Sequence, residues 1–301
     1  MEQILVDTTL EKAKKWAEKA WADAISSWSK RPAQDYAYRK HVVEPHIAKL
    51  IAKLNLNPSS LVIEIGCGDG THSIFWRQQL NNLGLDKVRI FGIDLHEPLI
   101  IKARKNAAGY KNISFEVADV NEVKTAKIIH DKVGIPDVIV AMFLLQDTPD
   151  LEGTLKMVKS CLKDRGHFIS VFVHPDFVKH LFEAGYVKGI EEGYLPPEYI
   201  TDLGIVQWRF AGYYPIAQKD DSPFYLPYFH RHVEDYLDAL HKKQFTIVAR
   251  KDLMLARDIA EKLKEKRISP FYEEKHNIYW PLIVSEPSTI LIHAVKDTVY
   301  A

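Results

Sequence analysis

At 301 residues, with 47% apolar side chains, the chain is long enough for one large α/β domain with insertions or for two small domains. Lys plus Arg (40) balances Asp plus Glu (40), which gives no general attraction to nucleic acid or to an anionic membrane. Cys67 and Cys161 sit in no metal-ligand spacing and suit a reducing compartment; no apolar run reaches the roughly eighteen residues of a membrane span, and the first residues lack a signal-peptide core, so a cytoplasmic protein is expected.

From Thr9 to Ser29, apolar residues recur at steps of three and four (Ala13, Trp16, Ala17, Ala20, Trp21, Ala24), which predicts a helix stopped by Pro32. A second helix is expected over Glu44 to Leu54, with Pro45 in its first turn. Neither has a strand beside it in sequence, so residues 1–56 read as a helical cover and 57–301 as the main domain. Strands and helices then alternate. Strands are expected at Leu61–Ile65, Val88–Ile93, Ile113–Val117, Val138–Met142 and His167–Val173, with helices at Thr71–Leu83, Pro98–Ala107 and Leu151–Leu162. After Val173 the regularity breaks, and residues 174–230 are rich in proline, glycine and tyrosine. A helix at Val233–His241, strands at Phe245–Ala249 and Ser288–Val295, and a second insertion at about 252–287 complete the chain. The charged helix in that insertion, near Arg257 to Lys266, reads as a solvated face. The pattern predicts a Rossmann-like, seven-stranded, mostly parallel sheet with helices on both faces, an N-terminal helical cover, and lid insertions after strands 5 and 6.

Ligands of such sheets bind beyond the carboxyl ends of the strands. The first strand ends in Glu64-Ile65-Gly66-Cys67-Gly68-Asp69-Gly70, where glycines let a backbone turn approach a nucleotide-type cofactor closely. Thr71 stands where the dinucleotide fingerprint has its third glycine, which counts against a nicotinamide dehydrogenase. Asp94 closes the second strand, where a carboxylate accepts from ribose hydroxyls, and Asp119 follows the third.

These residues resemble the class I S-adenosylmethionine-dependent methyltransferases. LVIEIGCGDG (Leu61 to Gly70) is similar to the family's first motif, FGID (Phe91 to Asp94) to its second and FEVADV (Phe115 to Val120) to its adenine-side motif. DVIVAMFLLQDT (Asp137 to Thr148) resembles the segment that runs along the cofactor. The resemblance implies S-adenosylmethionine as cofactor. Glu64 would then lie near its amino group, Gly66, Gly68 and Gly70 along the methionine part, Asp94 with Leu95 at the ribose, and Asp119 with Val120 at the adenine. Phe143 would contact the cofactor, and Tyr38 would close over it.

The acceptor is read from the subclasses. Ala141 to Gln146 lacks the motif of DNA adenine enzymes, and no cysteine lies where cytosine C5 enzymes keep theirs. Val171 to Pro175, with a histidine-proline pair, and Tyr228 to Arg231 resemble a subgroup that acts on small molecules of natural-product type. His232 departs from the proline common there. His174 and His230 are therefore the candidate catalytic residues, as a general base or as substrate hydrogen-bonding groups. The expected reaction is methyl transfer to oxygen or nitrogen of a small-molecule acceptor, with no metal site, no nucleic acid or membrane partner, and a monomer or homodimer as the assembly. A protein or peptide acceptor and a non-catalytic cofactor-binding scaffold are the rival readings.

Overall fold

The computed structural model describes residues 2–29, 39–183, 199–216, 224–265 and 284–298. Its centre is a seven-stranded sheet. The five strands of its first part are β1 (Leu61–Ile65), β2 (Arg89–Asp94), β3 (Ile113–Val117), β4 (Val138–Met142) and β5 (His167–Val173). The chain next forms two small strand pairs, β6 (Tyr199–Ile200) with β7 (Val206–Trp208) and β8 (Phe210–Ile216) with β9 (Phe224–His230). It returns to the sheet as β10 (Phe245–Leu253) and β11 (Thr289–Lys296). The order across the sheet is β10-β11-β5-β4-β1-β2-β3. All pairs are parallel except those of β11, which runs antiparallel between β5 and β10.

β1 shows why the sheet is central. All five of its residues are buried, as expected for a parallel strand covered on both faces. Leu61, Ile63 and Ile65 enter one core cluster, with Leu155 and Val158 of α6 (Leu151–Cys161) and Tyr236 and Ala239 of α8 (Val233–Lys242). Val62 enters the other, with Ile47 and Ile51 of α2 (Glu44–Ile51) and Trp76 and Leu80 of α3 (Thr71–Asn82). Each such aliphatic side chain contributes about 1.5–3 kcal/mol when fully buried. The second predicted helix is therefore packed against one face of the sheet, preceded by a short π-helical turn at Arg39–Val43.

Several elements exceed the sequence reading. The first helix, α1, runs over Glu2–Ser29 and lays Ala13 and Ala17 against Trp208, Ala211 and Phe229 of the inserted strands. Between α4 (Glu97–Asn106) and α6 lies an unanticipated α5 (Lys124–Val133), which buries Thr125, Ala126 and Ile129. Another, α7 (Pro175–Glu183), opens the insertion with Pro175 in its first turn. The insertion is thus partly regular, and Tyr213, Tyr214, Tyr225 and Tyr228 fall in the β8–β9 hairpin. The charged α9 (Arg257–Glu265) is amphipathic: Ala260 is fully buried in the same cluster as Leu253 and Leu255. Among the described residues no helix is long and apolar enough to cross a membrane, and no group of His, Cys, Asp or Glu could hold a metal.

Candidate active site

The glycine turn leaves β1 at the sheet's carboxyl edge and bends sharply into α3. Gly66, Gly68 and Gly70 all have positive φ. Two of them meet different needs. At Gly66 a Cβ would stand 2.8 Å from Leu144 Cδ1, so the loop after β4 presses directly on the turn. At Gly68 (φ +53°) a Cβ would meet nothing within 4 Å, so its backbone faces open space. Gly70 packs against Phe115 and Ala103.

Asp94 fixes the turn to the next strand. It is 8% exposed; its Oδ2 accepts from the Gly68 N–H at 2.9 Å and its Oδ1 from the His96 N–H at 2.9 Å. Burial pushes its carboxyl pKa up, against the downward pull of those N–H donors. Leu95 beside it is exposed. Glu64 is 1% exposed and accepts a hydrogen bond from the Ser73 hydroxyl on α3. Burial pushes its carboxyl up to about 8, while the Ser73 bond and Arg39 pull it down. Its other oxygen, Oε1, is buried without a hydrogen-bond partner, 3.6 Å from His72 Nδ1. Burial holds His72 well below the usual histidine range, so the ring is neutral and forms no ion pair.

Asp119 is half-buried, and its Oδ1 accepts from the Asn121 backbone N–H at 2.8 Å, while Val120 is buried in the core. The loop after β4 begins with Phe143 at φ +57°, held by its N–H to the Val171 carbonyl (2.7 Å) and set 6.2 Å from the His72 ring. Gly66, Gly68, Asp94 and Phe143 thus converge at one end of the sheet. Tyr38 lies outside the described residues.

The two candidate histidines stand further along the same edge. His174 follows β5 and is 7% exposed; its Nδ1 accepts the Asp176 N–H at 3.2 Å, at the start of α7. Burial lowers its pKa, with Asp176 pulling the other way. An Nδ1 that accepts leaves the ring proton on Nε2, so His174 presents a donor rather than a base. His230, at the end of β9, is 4% exposed and stacked on Phe210 at 4.4 Å, with its Nδ1 3.3 Å from the Tyr228 hydroxyl. Burial, then His232, drops its pKa to about 4, which makes it neutral and weakly basic at physiological pH.

Sequence reasoning passed over the groups that hold the insertion onto the site. Arg231 is fully buried and donates to the Thr148 carbonyl at 2.7 Å and the Leu145 carbonyl at 3.1 Å, stapling the end of the hairpin to the loop after β4. Asp150 caps α6 through the Gly153 N–H (2.7 Å) and also receives Gln207 Nε2 (3.1 Å) and, across an ion pair, Lys14 Nζ of α1 (3.0 Å). Asp147 is buried in that same loop, and burial pushes its carboxyl well above the usual range. The Asp-x-x-Gly spacing at Asp150 is a visible helix start; nothing in the sequence marks Lys14 or Gln207 as its partners.

Residues 56–188 match a family model described as a methyltransferase domain. Methyltransferase calH of Penicillium decumbens is 26% identical over 182 residues, which cover 56% of this chain and 48% of that protein. Among solved structures, the SAM-dependent methyltransferase of Anabaena variabilis superposes with a TM-score of 0.56 at 16% identity, covering 94% of each chain. The geranyl diphosphate C-methyltransferase of Streptomyces coelicolor, solved with Mg2+, geranyl diphosphate and S-adenosyl-L-homocysteine, superposes at 0.52 with 11% identity, over 84% of this chain and 79% of its own. These structures bear on the fold alone. Residues 56–188 thus resemble a methyltransferase domain, and the seven-stranded sheet has the fold of the S-adenosylmethionine-dependent methyltransferases that superpose on it. It spans about half the length of the curated relative named above.

Proposed function

We propose that this protein transfers the methyl group of S-adenosylmethionine to an oxygen or nitrogen of a small-molecule acceptor. The observation that carries the reading is the Gly68–Asp94 bond at the carboxyl ends of β1 and β2, with open space over Gly68. The buried, partnerless Glu64 Oε1 is a second mark of fit, because an amino cation is the natural complement of such an oxygen. In this reading Gly66, Gly68 and Gly70 line the methionine part, Asp94 with Leu95 holds the ribose, Asp119 with Val120 borders the adenine, and Phe143 and Tyr38 contribute to the walls.

Bound S-adenosylmethionine supplies an electrophilic methyl group on a sulfonium, which needs an in-line approach. The protein's part is alignment and exclusion of water, which together account for several kcal/mol in well-oriented reactions. His174 would orient the acceptor through Nε2–H, and the weakly basic His230 would accept a hydrogen bond rather than carry away a proton. Helix α1 acts as a cover, since it reaches from Phe229, where Trp16 packs edge-on at 5.5 Å, to His96, which Trp21 faces at 6.4 Å.

Calorimetry with S-adenosylmethionine, S-adenosylhomocysteine and NAD, on the wild type and Asp94→Ala, tests this reading. Binding of the first two at micromolar Kd, absent for NAD and lost in the variant, is the expected result. A folded protein that binds neither refutes it.

A further inference from the structure

His72 has no task in the reading above, although it stands inside the same site. It occupies the second position of α3, directly after the glycine turn, and three other elements meet around its ring. Glu64, in β1, brings Oε1 to 3.6 Å from Nδ1, and Phe143, after β4, lies with its ring centre 6.2 Å away. The turn before α2 supplies Arg39, which pairs with Glu44 at 2.9 Å and whose positive charge also acts on both Glu64 and His72.

The protein leaves polar atoms of this group unsatisfied. Glu64 is 1% exposed, and its Oε2 accepts from the Ser73 hydroxyl. Its Oε1 and the His72 Nε2 are both buried without a hydrogen-bond partner among the described residues. The 3.6 Å gap between Oε1 and Nδ1 is too long for these two atoms to satisfy each other. A buried carboxylate oxygen in this state costs free energy, which a donor placed between the two atoms offsets. His72 is not itself the cation that Glu64 lacks, because burial and then Arg39 hold the ring neutral. A neutral ring keeps one nitrogen able to accept. An ammonium nitrogen carries three N–H groups and can stand about 2.9 Å from two acceptors this far apart. A hydroxyl donates once and brings no charge to Glu64. The charge of Arg39 disfavours a purely cationic ligand, whereas an α-amino acid end, with its carboxylate beside its ammonium, meets both signs.

We propose that His72 is a second ligand of the cofactor's amino group: Glu64 Oε1 and His72 Nδ1 bracket the ammonium and fix the amino-acid end of S-adenosylmethionine against the glycine turn. The inference deepens the cofactor reading above and rests on it. His72 is then a positioning residue, which helps to set where the methionine chain, and with it the sulfonium methyl, is held.

The test is calorimetry of wild type, His72→Phe and His72→Asn with two probes, S-adenosylhomocysteine and methylthioadenosine, which keeps the adenosine and thioether but has no amino-acid end. Phenylalanine keeps a ring and removes the acceptor; asparagine places an amide oxygen close to where Nδ1 stood. His72→Phe should weaken S-adenosylhomocysteine about tenfold and leave methylthioadenosine within about twofold, and His72→Asn should recover most of the loss. Imidazole NMR of the wild type should show Nδ1 as the unprotonated, hydrogen-bonded nitrogen when S-adenosylhomocysteine is bound, with no such change on methylthioadenosine. That readout needs no substitution and decides the matter where a variant does not fold. Equal weakening of both probes in a folded His72→Phe, unchanged affinity for S-adenosylhomocysteine, or an Nδ1 signal indifferent to it overturns the proposal. A folded wild type that binds neither probe overturns the methyltransferase reading as well, while tight binding of S-adenosylhomocysteine with an indifferent His72 removes only the assignment of His72.

Discussion

Glu64 makes the protein's stability depend on pH in an unusual direction. Its carboxyl titrates at about 8 in the fold against an ordinary 4.5, because burial disfavours its charge. Between those values the folded chain holds a proton that the unfolded chain has released, so this contribution is complete below 4.5 and is lost as the pH rises through the window. At 1.36 kcal/mol per pH, the whole interval corresponds to about 5 kcal/mol, with about 2 kcal/mol of it between pH 6.5 and 8. The buried histidines act in the opposite sense but below that range: His230 and His293, both lowered to about 4 from 6.5, are neutral in both states above it. The assay is urea unfolding of wild type and Glu64→Gln from pH 6.5 to 8.5, without cofactor. The wild type should lose about 2 kcal/mol relative to the variant across the range. Saturating S-adenosylhomocysteine, whose amino cation favours the ionised carboxylate, should flatten the difference. Parallel pH profiles for the two proteins would refute the reasoning.

Asp94→Ala leaves the Gly68 and His96 N–H groups without their acceptor, and a loss of about 2–4 kcal/mol in chemical denaturation should accompany the loss of cofactor binding. The two glycine substitutions should separate stability from binding. Gly66→Ala adds a Cβ 2.8 Å from Leu144 at positive φ and should cost about 2–4 kcal/mol. Gly68→Ala meets no neighbour and should cost only about 1–2 kcal/mol, yet weaken S-adenosylmethionine more than tenfold by calorimetry. Arg231→Met removes the staple to the Thr148 and Leu145 carbonyls and should lower stability by about 2–4 kcal/mol, with a larger rise in acceptor KM than in cofactor Kd. Acid should destabilise the chain as pH falls from 6.5 to 4, because His293, 3.0 Å from His167, must charge on unfolding; His293→Gln should blunt that slope in melts at pH 7 and pH 4.5.

The strands of the sheet were legible because each is a short apolar run bounded by turn residues, and β1, β3, β4 and β5 begin and end where the pattern places them. The sharp glycine turn after β1 and the place of Asp94 at the end of β2 were legible because both depend on local backbone, one turn and one strand end. The limits came from partners distant in sequence. β10 reaches Leu253 because it follows β11 in antiparallel register. The pair β8–β9 hid behind its tyrosines and prolines, which suggest irregular chain although the two strands pair from Phe210 with His230 to Ile216 with Phe224. Nothing local told that Lys14 would meet Asp150, or that the Asp176 N–H would hold His174 in its donor form.

The docking of α1 on Trp208 and Phe229 bears on how the molecule is made. The helix leaves the ribosome well before its partner: the aromatic wall that covers Ala13 and Ala17 is synthesised about two hundred residues later. For most of translation its apolar stripe has no native partner, and closing so distant a contact carries the entropy of the long intervening loop. The sheet is expected to assemble first, with α1 settling last onto a surface already built. Pulsed hydrogen exchange during refolding would show that order as late protection of residues 13–24.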